Sequence, residues 1–210
     1  MIMNDHMSDT TLNHAEQKLA IRRQIRTLRR QLSPADRRYA AARALTFVQR
    51  LPRLQKAQRV GLYWPMADEF DPLPLLCGLA RAGKACFMPV VPRHGRRLWF
   101  TRVDEHSRWY HNRFGIPESK HPERCRAEKL DVILVPLMGV DAQGFRLGMG
   151  GGFYDTSLQV RRLTRRRSPW LLGVAFECQR VAQLPSEPWD IRLDALLTEK
   201  RIYRFPVRIA

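Results

Sequence analysis

No apolar run in this chain approaches the roughly 18 residues needed to cross a bilayer; the longest, "VILVPLMGV", is broken by Pro136. The first dozen residues, "MIMNDHMSDTTL", lack the basic start and apolar block of a secretory leader. Both absences predict a soluble, cytoplasmic protein without a membrane partner. Cysteine is scarce as well. Cys77, Cys86, Cys125 and Cys178 are far apart, form no C-x-x-C pair, and are accompanied by only six scattered histidines. A disulfide framework and a zinc site are both poorly supported, and reduced thiols are expected. Negative charge is in short supply, with 20 Asp+Glu against 37 Lys+Arg and a net charge of +17. That balance suits a nucleic-acid partner, through phosphate neutralisation, or a small anionic substrate drawn into a positive cleft. Charge alone does not choose between them. Glycine is rare too, yet four of the 12 glycines, Gly148, Gly150, Gly151 and Gly152, fall in one stretch, "RLGMGGGFYD".

At 210 residues and 44% hydrophobic, the chain is long enough for one well-packed domain. We expect a disordered tail over 1–13 and a single domain over 14–210. Ile21, Ile25, Leu28 and Leu32 recur at helical spacing, and Lys18, Arg22, Arg26 and Arg29 form a neighbouring basic stripe. A second helix is predicted from "SPADRR" to about residue 50, with Ser33 as N-cap, Pro34 in the first turn and Asp36 completing a capping box. Strands are expected at 59–64, 84–90, 96–103 and 131–136, with a helix through "PLPLLCGLARAG" capped by Gly83. Residues 104–128 read as irregular. After the glycine stretch come a helix in "DTSLQVRRLTRR", a strand in "WLLGVAF", a short helix through "ECQRVAQL" and a strand in "LDALLTE". Strands alternating with helices predict a three-layer α/β/α fold around a mostly parallel sheet.

The glycine stretch is neither a Walker loop, since no Lys-Ser/Thr follows, nor a dinucleotide fingerprint, since Phe153 holds the last glycine position. It nevertheless follows a buried strand and opens a helix, where backbone N–H groups and the helix dipole favour an anion. Without Cβ atoms at 150–152, a bulky ligand can press onto the main chain. Arg146 can neutralise phosphate oxygens, while Asp155 can hold Mg²⁺ or favour the dipole. A tight turn with a capping acid is the plainer alternative, but three successive glycines exceed what one turn needs.

The string "DVILVPLMGVDAQGFRLGMGGGFYD" resembles the signature of the 5-formyltetrahydrofolate cyclo-ligase, or methenyltetrahydrofolate synthetase, family. "KLAIR", "YWPMADEFD", "RAGKACFMPVV" and "LPSEPWDIRLDALLTE" agree in order, so the resemblance runs from about Lys18 to Glu199. It implies an enzyme that uses ATP and Mg²⁺ to convert 5-formyltetrahydrofolate to 5,10-methenyltetrahydrofolate. The formyl oxygen itself attacks the γ-phosphate, N10 closes the ring, and ADP and phosphate are released. Such phosphoryl transfer asks the protein mainly for positioning and charge neutralisation, which accounts for the lack of a nucleophilic triad.

By the same resemblance, Arg146 and Tyr154 are catalytic. Lys18, Arg22, Arg146, Leu147, Gly148, Met149, Gly150, Gly151, Gly152, Phe153 and Tyr154 contact ATP. Trp64, Glu69 and the segment Met149 to Phe153 meet the folate, with Asp68 and Asp71 as rivals to Glu69. Asp155 and Asp194 match the magnesium acids, with Asp190 as the neighbour to weigh against Asp194. Some members, eukaryotic ones especially, place a lysine where this chain has Gly151, so its phosphate contacts must come from elsewhere. The family implies folate, with one or more glutamates, and ATP as partners; we expect a monomer. Two other readings compete. A basic nucleic-acid-binding α/β protein would need aromatics among the Arg clusters at 22–30 and 161–167, and neither contains one. The same ATP-dependent fold acting on another formyl compound is the second, since fold alone does not fix chemistry. The cluster at 161–167 reads as a solvated helix end or a dock for a polyglutamate tail.

Overall fold

The computed structural model describes residues 5–164 and 168–206. Three helices come first: α1 (Asp5–Gln31), α2 (Pro34–Val48) and α3 (Pro52–Lys56). Of the expected tail, residues 1–4 lie outside the described residues, and from Asp5 the backbone is helical. Strand β1 (Arg59–Gly61) leads through α4 (Leu73–Arg81) to β2 (Ala85–Val90), β3 (Trp99–Val103), β4 (Trp109–His111), β5 (Pro117–Ser119) and β6 (Arg124–Cys125). Then follow β7 (Val132–Val135), β8 (Gly139–Val140), β9 (Arg146–Leu147), α5 (Phe153–Thr164), β10 (Trp170–Val174), β11 (Ala195–Leu197) and β12 (Ile202–Arg204).

Eight strands form one sheet in the order β12-β11-β10-β7-β1-β2-β3-β6. The five central strands, β11 to β2, are parallel, while β12 pairs antiparallel with β11 at one edge and, at the other, β3 pairs antiparallel with β2 and β6 antiparallel with β3. The alternation in β7 shows how the sheet acquires two covered faces. Val132 and Leu134 join a core with Ala40 and Ala44 of α2 and Leu75 of α4. Ile133 and Val135 join the opposite core with Leu158 of α5. This is the expected three-layer α/β architecture, with period-2 strands packed by helices on both sides. The helix ends are set as the sequence predicts. Ser33 and Asp36 form a reciprocal capping box on α2, and Gly83 ends α4 at φ +76°, where Lys84 N–H reaches back to the Leu79 carbonyl at 3.0 Å.

Three expectations need correction. Residues 104–128 are not simply irregular: β4 and β5 pair as a small hairpin, and β6 adds an edge strand to the main sheet. A second hairpin, β8 with β9, separates β7 from the glycine loop. The helix predicted through "ECQRVAQL" is only a single turn at Glu177–Gln179. The next residues are drawn onto the hairpin instead, with Val181 N–H bonded to the Val140 carbonyl at 2.9 Å and Leu184 N–H to Asp141 at 3.3 Å. All four cysteines are free thiols.

Candidate active site

Between β1 and β7 the chain changes direction across the sheet, since β2 lies on one side of β1 and β7 on the other. In open α/β sheets, ligands bind outside the carboxyl ends of the strands at such a point. A cavity of about 490 Å³ lies here, lined by Tyr63, Trp64, Met66 and Glu69 after β1, Pro89 and Val91 at the end of β2, and Pro136 and Leu137 after β7. The loop from Gly148 to Gly152, with Phe153, Tyr154 and Asp155 opening α5, forms another wall, and Lys18 and Arg22 of α1 close it. Residues far apart in sequence, from 18 to 190, thus share one cavity.

Arg22 Nε donates to the Gly148 carbonyl at 2.9 Å, tying α1 to the glycine loop. Lys18 Nζ lies 3.6 Å from Glu187 and 3.7 Å from Asp190. Arg146 is held by the Ile191 carbonyl and by Asp155, and its side chain is only 4% exposed. The three cations are therefore preset by protein partners. The loop itself is open: among the described residues, the N–H groups of Gly148 through Gly152 donate to no protein group. Gly150 and Gly152 adopt φ +103° and +67°, which only glycine takes without strain. A Cβ on Gly151 would meet the Phe153 ring at 2.9 Å, so this position keeps the ring close to the loop.

Beside these cations the cavity lining is largely apolar, with carboxylates. Trp64 meets Trp109 edge-on at 5.6 Å, and Phe153 meets Phe114 edge-on at 6.4 Å. Glu69 accepts the Met66 N–H at 3.0 Å. Burial pushes its carboxyl above the usual range, opposed by that hydrogen bond and by Arg29. Burial, with Glu69 second, drives the Tyr154 phenol far upward, so it is neutral. Its hydroxyl is buried with no hydrogen-bond partner among the described residues. Burial likewise holds the Tyr63 phenol neutral, and it donates to the Phe70 carbonyl at 2.9 Å.

The structure brings together all the residues named for ATP and folate, and Asp155 with them. Asp194 it does not. That carboxylate pairs with Arg161 at 2.8 Å and accepts the Leu171 N–H at 2.7 Å, outside the cavity lining. Asp190, its neighbour, does line the cavity. Among the rivals to Glu69, Asp68 pairs with Arg29 and Asp71 accepts the N–H of Leu73, at the start of α4. Sequence reasoning missed the contribution of the 109–119 hairpin, which brings Asn112, Phe114, Ile116 and Glu118 to the cavity. Aromatics flanking the Gly115 turn were the available signal. It also missed Arg96, whose Nη1 would lie 3.4 Å from a Cβ on Gly152. Of the cluster at 161–167, Arg165 to Arg167 lie outside the described residues.

Fold and site together define a class: an α/β protein whose switch-point cavity sets a cationic glycine loop against an aromatic, carboxylate-bearing wall. Comparison with known proteins narrows it. The family model described as the 5-formyltetrahydrofolate cyclo-ligase family matches residues 14–199, and the chain belongs to that family of enzymes. It is 35% identical over 184 residues to the 5-formyltetrahydrofolate cyclo-ligase of Escherichia coli (strain K12), covering 86% of this chain and 100% of that one. Identity to the Haemophilus influenzae protein of the same name is 31%, over 88% of this chain and 98% of the relative. The solved 5,10-methenyltetrahydrofolate synthetase of Aquifex aeolicus superposes with a TM-score of 0.75 at 31% identity, covering 92% of this chain and 95% of that one.

Proposed function

We propose that this chain converts 5-formyltetrahydrofolate to 5,10-methenyltetrahydrofolate with consumption of ATP, both substrates meeting over the glycine loop. One observation carries the reading: unpaired loop N–H groups and three cations face the same cavity as Trp64, Phe153 and the half-buried Glu69. A polyphosphate suits the first set, because amides at a helix start attract anions and arginines grip phosphate oxygens. A flat pteridine suits the second.

In this reading Lys18, Arg22 and Arg146 neutralise phosphate charge, with the loop amides fixing the γ-phosphate beside the formyl oxygen. That oxygen forms the new P–O bond as the bond to ADP breaks. N10 then bonds to the formyl carbon, loses its proton, and phosphate departs with the former formyl oxygen. Glu69 orients the pterin side, and the Tyr154 hydroxyl finds its missing partner on a bound ligand. Mg²⁺ would enter with ATP, to screen phosphate charge. Such ions need only one or two carboxylates besides the phosphates, and Asp155, lining the cavity and partly exposed, fits. Asp194, spent on Arg161 and a strand amide, does not. Cations paired with Glu187, Asp190 and Asp155 must exchange those partners, in part, for phosphate.

The test is direct. Arg146→Met should leave the fold intact by circular dichroism and lower kcat/KM for ATP by about a hundredfold or more, as for other preset charge-stabilising groups. Unchanged turnover would refute the role of Arg146.

A further inference from the structure

Arg29 is a full charge where an apolar residue would be expected. It belongs to the basic stripe of α1, yet its side chain is 1% exposed, whereas Lys18 and Arg22 of the same stripe face the cavity. Its Nη2 pairs with Asp68 Oδ1 at 2.5 Å, Nη1 lies 3.2 Å from Met138 Sδ, and Nε has no partner among the described residues. Burying a guanidinium this incompletely satisfied is costly. A methionine would fill similar space without that cost, so packing does not explain the residue.

What Arg29 holds is more informative. Asp68 immediately precedes Glu69, in the turn where Glu69 N–H bonds to the Met66 carbonyl at 2.9 Å. Arg37 of α2 grips the same turn from the main-chain side, donating to the Asp68 carbonyl at 3.1 Å, to the Leu32 carbonyl at 3.3 Å and to the Arg29 carbonyl. Two arginines from two helices thus clamp one loop, and the clamp starts on the helix that carries Lys18 and Arg22.

We propose that Arg29 is a positioning residue for the reaction: gripping Asp68 from α1, it fixes Glu69 at the folate side in register with the cations that meet ATP. The proposal rests on the assignment of Glu69 to the folate. Electrostatics give it a second effect. The groups facing Glu69 are Arg29 from α1, Asp68 on its own turn, Tyr63 after β1 and Tyr154 of α5. Both phenols are neutral, so among the charged side chains Arg29 favours the carboxylate and Asp68 opposes it, beside the larger effects of burial and of the Met66 N–H. Arg29 therefore both places Glu69 and, after the Met66 N–H, favours its carboxylate against the upward push of burial.

The test uses the full chain and three variants, Arg29→Met, Arg29→Lys and Asp68→Asn. Each is checked by thermal melt, steady-state kinetics for both substrates, and calorimetric affinity for 5-formyltetrahydrofolate from pH 4.5 to 8 without ATP. Arg29→Met should raise KM for the folate about tenfold, leave KM for ATP within about twofold, and move the acid limit of folate binding upward by about one pH unit. Arg29→Lys should keep that limit near its wild-type position. Asp68→Asn leaves Arg29 an acceptor but removes the opposing acid, so the limit should move down. Opposite displacements support the proposal, because a purely structural role would lower the melting temperature and active fraction without shifting the limit. An unmoved limit in both neutralising variants overturns it. Should Arg29→Met fail to fold, Asp68→Asn, at a partly exposed position, decides alone: a downward shift supports and no shift overturns. A wild-type chain that binds no 5-formyltetrahydrofolate overturns the folate assignment itself, and this proposal with it.

Discussion

Replacing Tyr154 by phenylalanine should stabilise the protein while damaging its activity. The hydroxyl is the perturbed group: it is buried and has no hydrogen-bond partner among the described residues. A buried polar group left unpaired costs about 1–3 kcal/mol, and Tyr154→Phe removes that group without opening a cavity. Some of the cost is recovered in any local relaxation, so the expected gain is about 1 kcal/mol. For a domain of this size that raises Tm by about 2–4 °C. Activity should move the other way. If a bound ligand supplies the partner, losing the hydroxyl forfeits about 1.5 kcal/mol of binding, or roughly tenfold in kcat/KM. Differential scanning calorimetry without ligand, paired with steady-state kinetics, reads both numbers from one preparation. A lowered Tm would mean the hydroxyl is satisfied in the free protein, and a raised Tm with unchanged kinetics would remove Tyr154 from the site.

Other consequences follow from the same geometry. Burial holds the Glu69 carboxyl above its usual range, so the folded chain binds this proton more tightly than the unfolded one. That stabilisation is full below the unfolded pKa and is lost as pH rises through the folded one. Glu69→Gln should therefore melt above wild type at pH 8, with the advantage shrinking toward pH 4, while folate affinity falls at least tenfold; a constant difference across pH would contradict the sign. Asp194→Asn should cost about 3 kcal/mol by stranding Arg161, yet leave the Mg²⁺ dependence of turnover unchanged, whereas Asp155→Asn should alter that dependence; magnesium titrations of both variants separate the two acids. Gly151→Ala should displace the Phe153 ring and raise KM for the folate several-fold with little change in Tm; kinetics matching wild type would show that the ring is free to yield.

The parts of the fold legible in sequence were those decided locally. The Ser33–Asp36 box on α2, Gly83 at the end of α4 and the four aliphatics of β7 each carry their own signal, and the structure agrees with all three. What escaped was decided by distant partners. Gly139 and Val140 read as the tail of an apolar run, but they turn into a hairpin because Arg146 and Leu147 pair with them. The 109–119 hairpin mixes aromatic and polar residues, and it is fastened by Glu118, which accepts Val91 N–H at 2.8 Å and Asn112 Nδ2 at 2.6 Å. No periodicity reports such a bond. Helical spacing put Arg29 on one stripe with Lys18 and Arg22, and nothing in that spacing distinguishes the cation that is buried. The same limit applies to Asp190 and Asp194, four residues apart in an irregular stretch: only the positions of Lys18 and Arg161 separate the acid in the cavity from the acid outside it.

One measurement bears most directly on the central claim. The purified chain is mixed with 5-formyltetrahydrofolate, ATP and Mg²⁺, and the methenyl chromophore is followed alongside ADP and phosphate. One equivalent each of ADP and phosphate should accompany each methenyl product, with no product when ATP is omitted. A correctly folded protein that forms no chromophore, or forms it without consuming ATP, would contradict the claim.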